Sequence, residues 1–292
     1  LVTSAIGTAG IIDAVGNQMA LQRSATQLSA DIHTEGGFAD PQEMITKAQK
    51  VAKATGIAST SVMEALSLAS AHGGGEKGLK AFVGSLDKIG SLSLATGTKI
   101  EDLAEISATM TNNNVTSSEE QFDVMRSINA AAKDGNVNFK EMASYMTEVA
   151  SMHGASAFKA TAVQRQLESS GMIQIAKMGS GSAAEAATSA SSFMADLTGA
   201  TAQKFASAKG FSLYEKNAKG ERTGMRAMPE LIADIYKNAN GDPEVLNKLF
   251  DVKSKATAAQ FTAAYKGENA NLKDAQGNRL SGVEAVKALL AN

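Results

Sequence analysis

The stretch from Ser93 to Ile106, SLATGTKIEDLAEI, ends one helix and starts another within a few residues. Gly97 stands where a helix ending near Thr96 needs a left-handed residue after its last turn. Thr98 and Glu101 have the Ser/Thr-x-x-Glu spacing of a capping box, in which each side chain satisfies a free amide at a new helix start. The same punctuation recurs at Gly56 followed by Ser61 and Glu64, Thr116 with Glu119, Asn138 with Glu141, Ser182 with Glu185, and Ser281 with Glu284. Asp40-Pro41 and Asp242-Pro243 spell two more starts, an N-cap followed by proline at the first helical position. A chain interrupted this often cannot be one rod. It reads as a series of short capped helices.

Between the caps the apolar spacing is helical: Phe139, Met142, Ala143, Met146, Val149 and Ala150 fall on one stripe, and Ile100, Leu103, Ala104 and Met110 on another. The pattern predicts helices near 41–54, 61–71, 77–95, 99–111, 118–133, 139–152, 157–178, 183–198, 201–209, 229–239, 243–250, 254–266 and 282–290. Two stretches depart from it, LYEKNAKGERTGMRAMPELI from Leu213 and LKDAQGNRLSGVEAVKALL from Leu272. Each places a glycine turn (Gly220 to Arg222, Gly277 to Arg279) before a helix, as in a short β-hairpin or tight loop. The expected fold class is all-α: an array of about a dozen short helices with one or two hairpin-like turns. Its segments are an N-terminal helical or linker piece over 1–40, a main helical domain over 41–209, and a hairpin-plus-helix subdomain over 210–292.

The 292 residues can bury a substantial core, but with 13 Met, no Trp and 5% aromatic residues that core is small-grained and soft. A net charge of −2 without a dense Lys/Arg block gives no nucleic-acid or anionic-membrane surface. The absence of cysteine excludes disulfides, thiolate metal sites and cysteine nucleophiles. No apolar run reaches the roughly 18 residues of a membrane helix. The first residue is Leu1, which points to a processed or excised piece of something longer.

The sharpest enzymatic candidate is QLESSGMIQIAKMG, Gln166 to Gly179. It is similar to lytic transglycosylases, in which the Glu of a Glu-Ser-Ser motif protonates the glycosidic oxygen and a Gly-Leu-Met-Gln-Ile-like segment follows. Here Glu168-Ser169-Ser170 runs straight into Gly171-Met172-Ile173-Gln174-Ile175, without the loop that lets two such segments face each other across a cleft. KDGNVNFKEM, Lys133 to Met142, ends like a calcium loop with Glu141 in the twelfth position, but Ala130 and Ala132 then occupy positions that need carboxylates. Ser156 and Lys159 have a Ser-x-x-Lys spacing that common residues reach by chance, with no Lys-Thr-Gly partner. HGGGEKG, His72 to Gly78, lacks the spacing and preceding strand of a phosphate loop and reads as an interhelix connection. His33, His72 and His153 are scattered singly, two of them at predicted helix ends. No catalytic, cofactor or metal residue is assigned.

Taken in order, the segments resemble the conserved helical region of phage tail tape measure proteins, over roughly residues 40 to 265. The resemblance is carried by KATGIASTSVMEALSLASAHG, LSLATGTKIEDLAEISATM, NVNFKEMASYMTEVASMHGAS, IQIAKMGSGSAAEAATSASSFMADLT and MPELIADIYKNANGDPEVLNKLF. It implies a non-enzymatic virion structural protein that sets tail length during assembly and takes part in genome ejection. The implied partners are tail tube, tail tip or baseplate hub, and tail assembly chaperone proteins. The implied state is a homo-oligomer, trimer or hexamer, in the tail of the virion, with the host cytoplasm as the place of assembly. Many family members carry a transmembrane segment elsewhere, and these residues hold none.

A continuous helix of this length would be about 440 Å long, whereas a folded chain has a radius of gyration of roughly 19 Å. A tape's ruler would therefore lie outside these residues. The aromatic-poor, glycine-punctuated pattern further suggests a domain that unpacks readily, at one end of the tape or before passage along a tube. Two other readings stand beside the leading one: a peptidoglycan-degrading tail domain with Glu168 as general acid, and a generic helical adaptor.

Overall fold

The computed structural model describes residues 8–34, 39–274 and 276–291. Among them are fifteen helices and one two-stranded antiparallel sheet, so the fold is all-α with a small hairpin. The chain divides into two compact units, Leu1–Asp123 and Val124–Asn292. The boundary falls inside a helix.

The first unit contains α1 (Thr8–Thr34), α2 (Pro41–Thr55), α3 (Ser59–His72), α4 (Glu76–Val83), α5 (Leu86–Thr96) and α6 (Ile100–Asn112), and the start of α7 (Ser118–Asp134). Helix α2 buries one stripe, Met44, Ile45, Ala48 and Val51, as its period demands. Helix α3 packs against α1, α2, α4 and α6, so its burial spreads around the helix through Val62, Met63, Ala65, Leu66, Ala69 and Ser70. At the end of α3 the HGGGEKG stretch brings backbone against backbone. A Cβ on Gly78 would lie 2.1 Å from the Ala69 carbonyl oxygen and 2.7 Å from Gly73 Cα. Those glycines serve close packing.

Gln121, wholly buried, joins α6 to the first turns of α7. Its amide donates to the Val115 carbonyl at 2.7 Å and to Thr111 Oγ1 at 2.9 Å, while its oxygen accepts from Ser107 Oγ at 2.5 Å. A buried amide with its donor and acceptor paired costs little and fixes one arrangement of the helices.

The second unit contains the rest of α7, α8 (Phe139–Ala155), α9 (Ala162–Lys177), α10 (Ala183–Thr198), α11 (Ala200–Lys209), β1 (Tyr214–Lys216), β2 (Arg222–Met225), α12 (Met228–Ala239), α13 (Pro243–Leu249), α14 (Lys255–Tyr265) and α15 (Gly282–Ala291). Helix α10 is its centre, packed by α8, α9, α11 and α14. The few aromatic residues concentrate beside it. Phe193 stacks on Phe250 at 4.6 Å and on Phe261 at 5.3 Å, and Tyr236 packs on the same pair. The buried Tyr236 hydroxyl donates to the Ala258 carbonyl at 2.7 Å, and burial pushes its acidity well below that of a free phenol.

The β1–β2 hairpin pairs Tyr214 with Met225 and Glu215 with Gly224, with an irregularity before the Lys216–Arg222 pair. The second hairpin candidate makes an isolated bridge between Lys273 and Arg279.

The helix signals hold at Gly56 and Gly97, both left-handed, and at the caps Asp40, Asn138, Ser182 and Asp242, whose side chains accept first-turn amides. Several others need correction. Helix α6 begins at Ile100 with Lys99 as its N-cap and no side-chain cap; Thr98 is buried with its hydroxyl 2.8 Å from Thr96 Oγ1. Helix α3 starts two residues before Ser61, capped by no side chain. At α7 the capping hydroxyl is Ser117, which accepts from the Glu120 amide. The predicted helix 77–95 is two helices, broken at Gly84, where a Cβ would strike Ser118 Oγ at 2.1 Å. The predicted helix from 157 starts only after Thr161, which forms a full capping box with Gln164. Within the 1–40 segment, read as a helical or linker piece, the structure has α1, the longest helix among the described residues.

Candidate functional site

Helix α9 carries the whole Gln166 to Lys177 part of the transglycosylase-like stretch as one uninterrupted helix. Leu167, Glu168, Gly171, Gln174, Ile175 and Met178 line one side of a groove of about 610 Å³. The other walls come from Ser127 and Ala131 of α7, the turn at Gly135 and Asn136, and Leu289 and Leu290 of α15. A Cβ on Gly171 would meet nothing within 4 Å, which leaves the middle of the α9 face open. Leu167 and Met178 are exposed large apolar residues at either end of this face. Among the lining residues Glu168 is the one ionisable group.

The Glu168 carboxylate is held from behind. His153 Nε2 lies 2.7 Å from Glu168 Oε2, with the imidazole 0% exposed in the last turn of α8. Its other nitrogen, Nδ1, is buried without a partner, and the ring stands edge-on to Phe158 at 5.3 Å. Facing a carboxylate oxygen, Nε2 is the ring nitrogen that donates. The pair fixes the carboxyl's orientation at the groove wall.

Ser169, Ser170 and Gln174 of the motif are spent on the helix and its neighbours, whereas the buried Gln166 amide has no hydrogen-bond partner. Ser169 Oγ donates to the Arg165 carbonyl at 2.6 Å and Ser170 Oγ to the Leu167 carbonyl at 2.8 Å. Gln174 clamps the turn between α7 and α8: its oxygen accepts from the amides of Asn136 at 2.6 Å and Val137 at 2.8 Å, and its nitrogen donates to the Val137 carbonyl at 2.8 Å. This is the turn that the sequence likened to a calcium loop. Its Glu141 lies in the first turn of α8, where its amide is capped by Asn138 Oδ1 at 2.9 Å.

The other candidates stay apart. Ser156 follows the last turn of α8, and Lys159 pairs with Glu215 at 2.7 Å. His72 pairs with Glu105 at 2.8 Å, and His33 is in the last turn of α1. No group of three or more His, Cys, Asp or Glu among the described residues could hold a metal ion, and no described helix is long and apolar enough to cross a membrane.

Sequence reasoning missed the His153–Glu168 pair. A signal was present: the buried α8 stripe of Met146, Val149 and Ala150 continues by one more step of three to His153, so the histidine belongs to the core face. Its partner, fifteen positions on in another helix, is set by tertiary packing alone.

Compared with known proteins, the chain matches no family model, no curated protein and no solved structure at a significant level.

Proposed function

We propose that this chain is a helical structural and interaction domain of a phage tail, the part of a tape measure protein that works in tail-length determination during assembly and in genome ejection. The observation that carries the non-enzymatic side of this reading is the use of the motif on α9. Ser169 and Ser170 bond within their own helix and Gln174 clamps a neighbouring turn, so the residues that imitate a catalytic segment are occupied in holding α9 in place. The tail assignment rests on the ordered resemblance of the segments that form α3, α5–α6, α8, α10 and α12–α13.

In this reading the partners are tail tube, tail tip or hub, and assembly chaperone proteins. The protein is a homo-oligomer, trimer or hexamer, in the virion, after assembly in the host cytoplasm. The test is genetic and microscopic. Tails assembled with this domain deleted in frame should be absent or irregular in length by electron microscopy, and the purified chain should co-elute with tube or chaperone proteins encoded beside it. Tails of normal length and infectivity without the domain would refute the proposal.

One observation favours a second reading, a peptidoglycan-cleaving tail domain: Glu168 lines the groove and is oriented by His153. Release of muropeptides from purified peptidoglycan, lost in Glu168→Gln, would establish it in place of the first.

A further inference from the structure

The groove in the second unit has a lining that restricts what can occupy it. Along α9 and its C-terminal end, Leu167, Gly171, Ile175 and Met178 follow one another at steps of four, four and three, so they share one side of the helix. From Leu167 to Met178 this side runs about 16 Å, three turns. Leu167 and Met178 are exposed, and a Cβ at Gly171 would meet nothing within 4 Å, so the face is apolar at its ends and open in its middle. The polar lining is largely committed. Ser170 donates to the Leu167 carbonyl, Gln174 spends its oxygen and nitrogen on the Asn136–Val137 turn, and Ser127 is engaged as well. Of the polar side chains in the lining, this leaves Glu168 and the exposed Asn136 for an occupant. An extended peptide or a sugar brings many donors and acceptors that are costly to bury unpaired. An α-helix satisfies its own backbone and presents only side chains, which suits a lining of this kind.

Charge gives the second constraint. The one ionisable group in the lining is the Glu168 carboxylate. His153 holds its Oε2 at 2.7 Å without covering it, since the Glu168 side chain keeps 19% of its surface exposed. Cations of the flanking helices are turned to other partners. Lys177 of α9 donates to the carbonyls of Ser180 and Gly181, and Lys287 of α15 pairs with Glu284 at 3.2 Å, so neither is spent on Glu168.

We propose that the groove docks one amphipathic α-helix of a partner protein, which lays an apolar face along Leu167, Gly171 and Met178 and sets a lysine or arginine against Glu168. A purely apolar face would bury the carboxylate with His153 as its one partner, and a carboxylate taken out of water needs a cation to offset the loss. The cation therefore selects the partner, while the open position at Gly171 lets the two helices approach closely. This inference stands apart from the tail assignment, because it rests on the groove alone.

The probe is a fluorescein-labelled, alanine-rich peptide of about 16 residues, long enough to form a helix, with a leucine stripe and one lysine in the middle of it. A second peptide has glutamate in place of that lysine. Fluorescence anisotropy with the whole chain should show saturable binding of the lysine peptide and about tenfold weaker binding of the glutamate peptide. Glu168→Gln, its fold checked by circular dichroism, should weaken the lysine peptide about tenfold and bring the two affinities together. Gly171→Leu fills the open middle of the face and should weaken both peptides by more than about tenfold, with a melting temperature equal to or above that of the parent. No saturable binding of the lysine peptide, equal affinity of the parent for both peptides, or undiminished binding by Gly171→Leu would overturn the proposal. Displacement of the peptide by muropeptides would overturn it in favour of a glycan. A dimer of the parent chain that Gly171→Leu converts to a monomer in sedimentation would overturn it in favour of a second copy.

Discussion

His153 and Glu168 join α8 to α9 through a 2.7 Å contact between Nε2 and Oε2, with the imidazole wholly buried and the carboxyl side chain 19% exposed. The buried member depends on the exposed one, because without Glu168 both imidazole nitrogens would be buried without partners. His153→Ala should therefore cost about 2–4 kcal/mol, from the lost ring packing against Phe158 and the cavity left behind. Glu168→Gln keeps an acceptor for Nε2 and should cost only about 1 kcal/mol. Urea denaturation of both variants checks the order; equal losses, or a larger loss for Glu168→Gln, would refute it.

Gln174 makes three hydrogen bonds to the turn at Asn136 and Val137. Gln174→Ala removes all three and should lower stability by about 2–3 kcal/mol. Hydrogen exchange gives the more specific readout: the Asn136 and Val137 amides should lose protection while α10 amides keep theirs.

The approach of α4 to the end of α3 depends on the missing side chains of Gly73 and Gly78. A Cβ at Gly73 would lie 2.3 Å from the Ala69 carbonyl oxygen and one at Gly78 2.1 Å from it. Relief would require moving backbone, so Gly78→Ala should destabilise by roughly 1–3 kcal/mol despite alanine's higher helix propensity. Gly16→Ala in α1, where a Cβ meets nothing within 4 Å, is the control and should be neutral or stabilising. Thermal melts of the two variants decide it.

Two surface carboxylates tie the second unit to pH. Asp251 is held below the usual carboxylate range, first by the Ser254 amide, which donates to it at 2.9 Å, and then by the Ser254 hydroxyl and the Lys253 amide. Asp274 is lowered mainly by the Asn278 side chain and amide, with the Gln276 amide adding to them. A depressed folded-state pKa favours the folded form once the unfolded carboxylate is ionised, above about pH 3.9. This stabilisation is fully present above that pH and is lost as pH falls through the lower folded values. The melting temperature should accordingly drop as the pH falls below about 4, and Asp251→Asn should flatten the drop. An unchanged profile would remove Asp251 from the account.

The readable part of this fold is local. A cap such as Asn138 or Asp242 and a left-handed glycine such as Gly56 work within four residues of chain, so their positions could be located from spacing alone. The errors arose where a local signal had two registers or a distant residue intervened. Thr98 and Ser117 show the first case, since capping spacings overlap by one residue in a chain rich in Ser and Thr. Gly84 shows the second, because Ser118, 34 positions on, occupies the space that a side chain there would need. At the groove, Glu168 and Gln174 were visible as a motif, but their partners His153 and Val137 belong to other parts of the chain.

What the sequence by itself determined is therefore the alphabet of this protein: short capped helices, a hairpin at Gly220, a chain with no cysteine and a nearly balanced charge. These follow from backbone geometry and composition, which act over a few residues. Only the tertiary structure decided that α3 and α10 are the centres of two separate units, that the scarce aromatic rings gather around Phe193, and that Glu168 lies in a groove with a buried histidine behind it. Those outcomes depend on which faces find each other after the helices form, and long-range packing sets that choice by burial and shape.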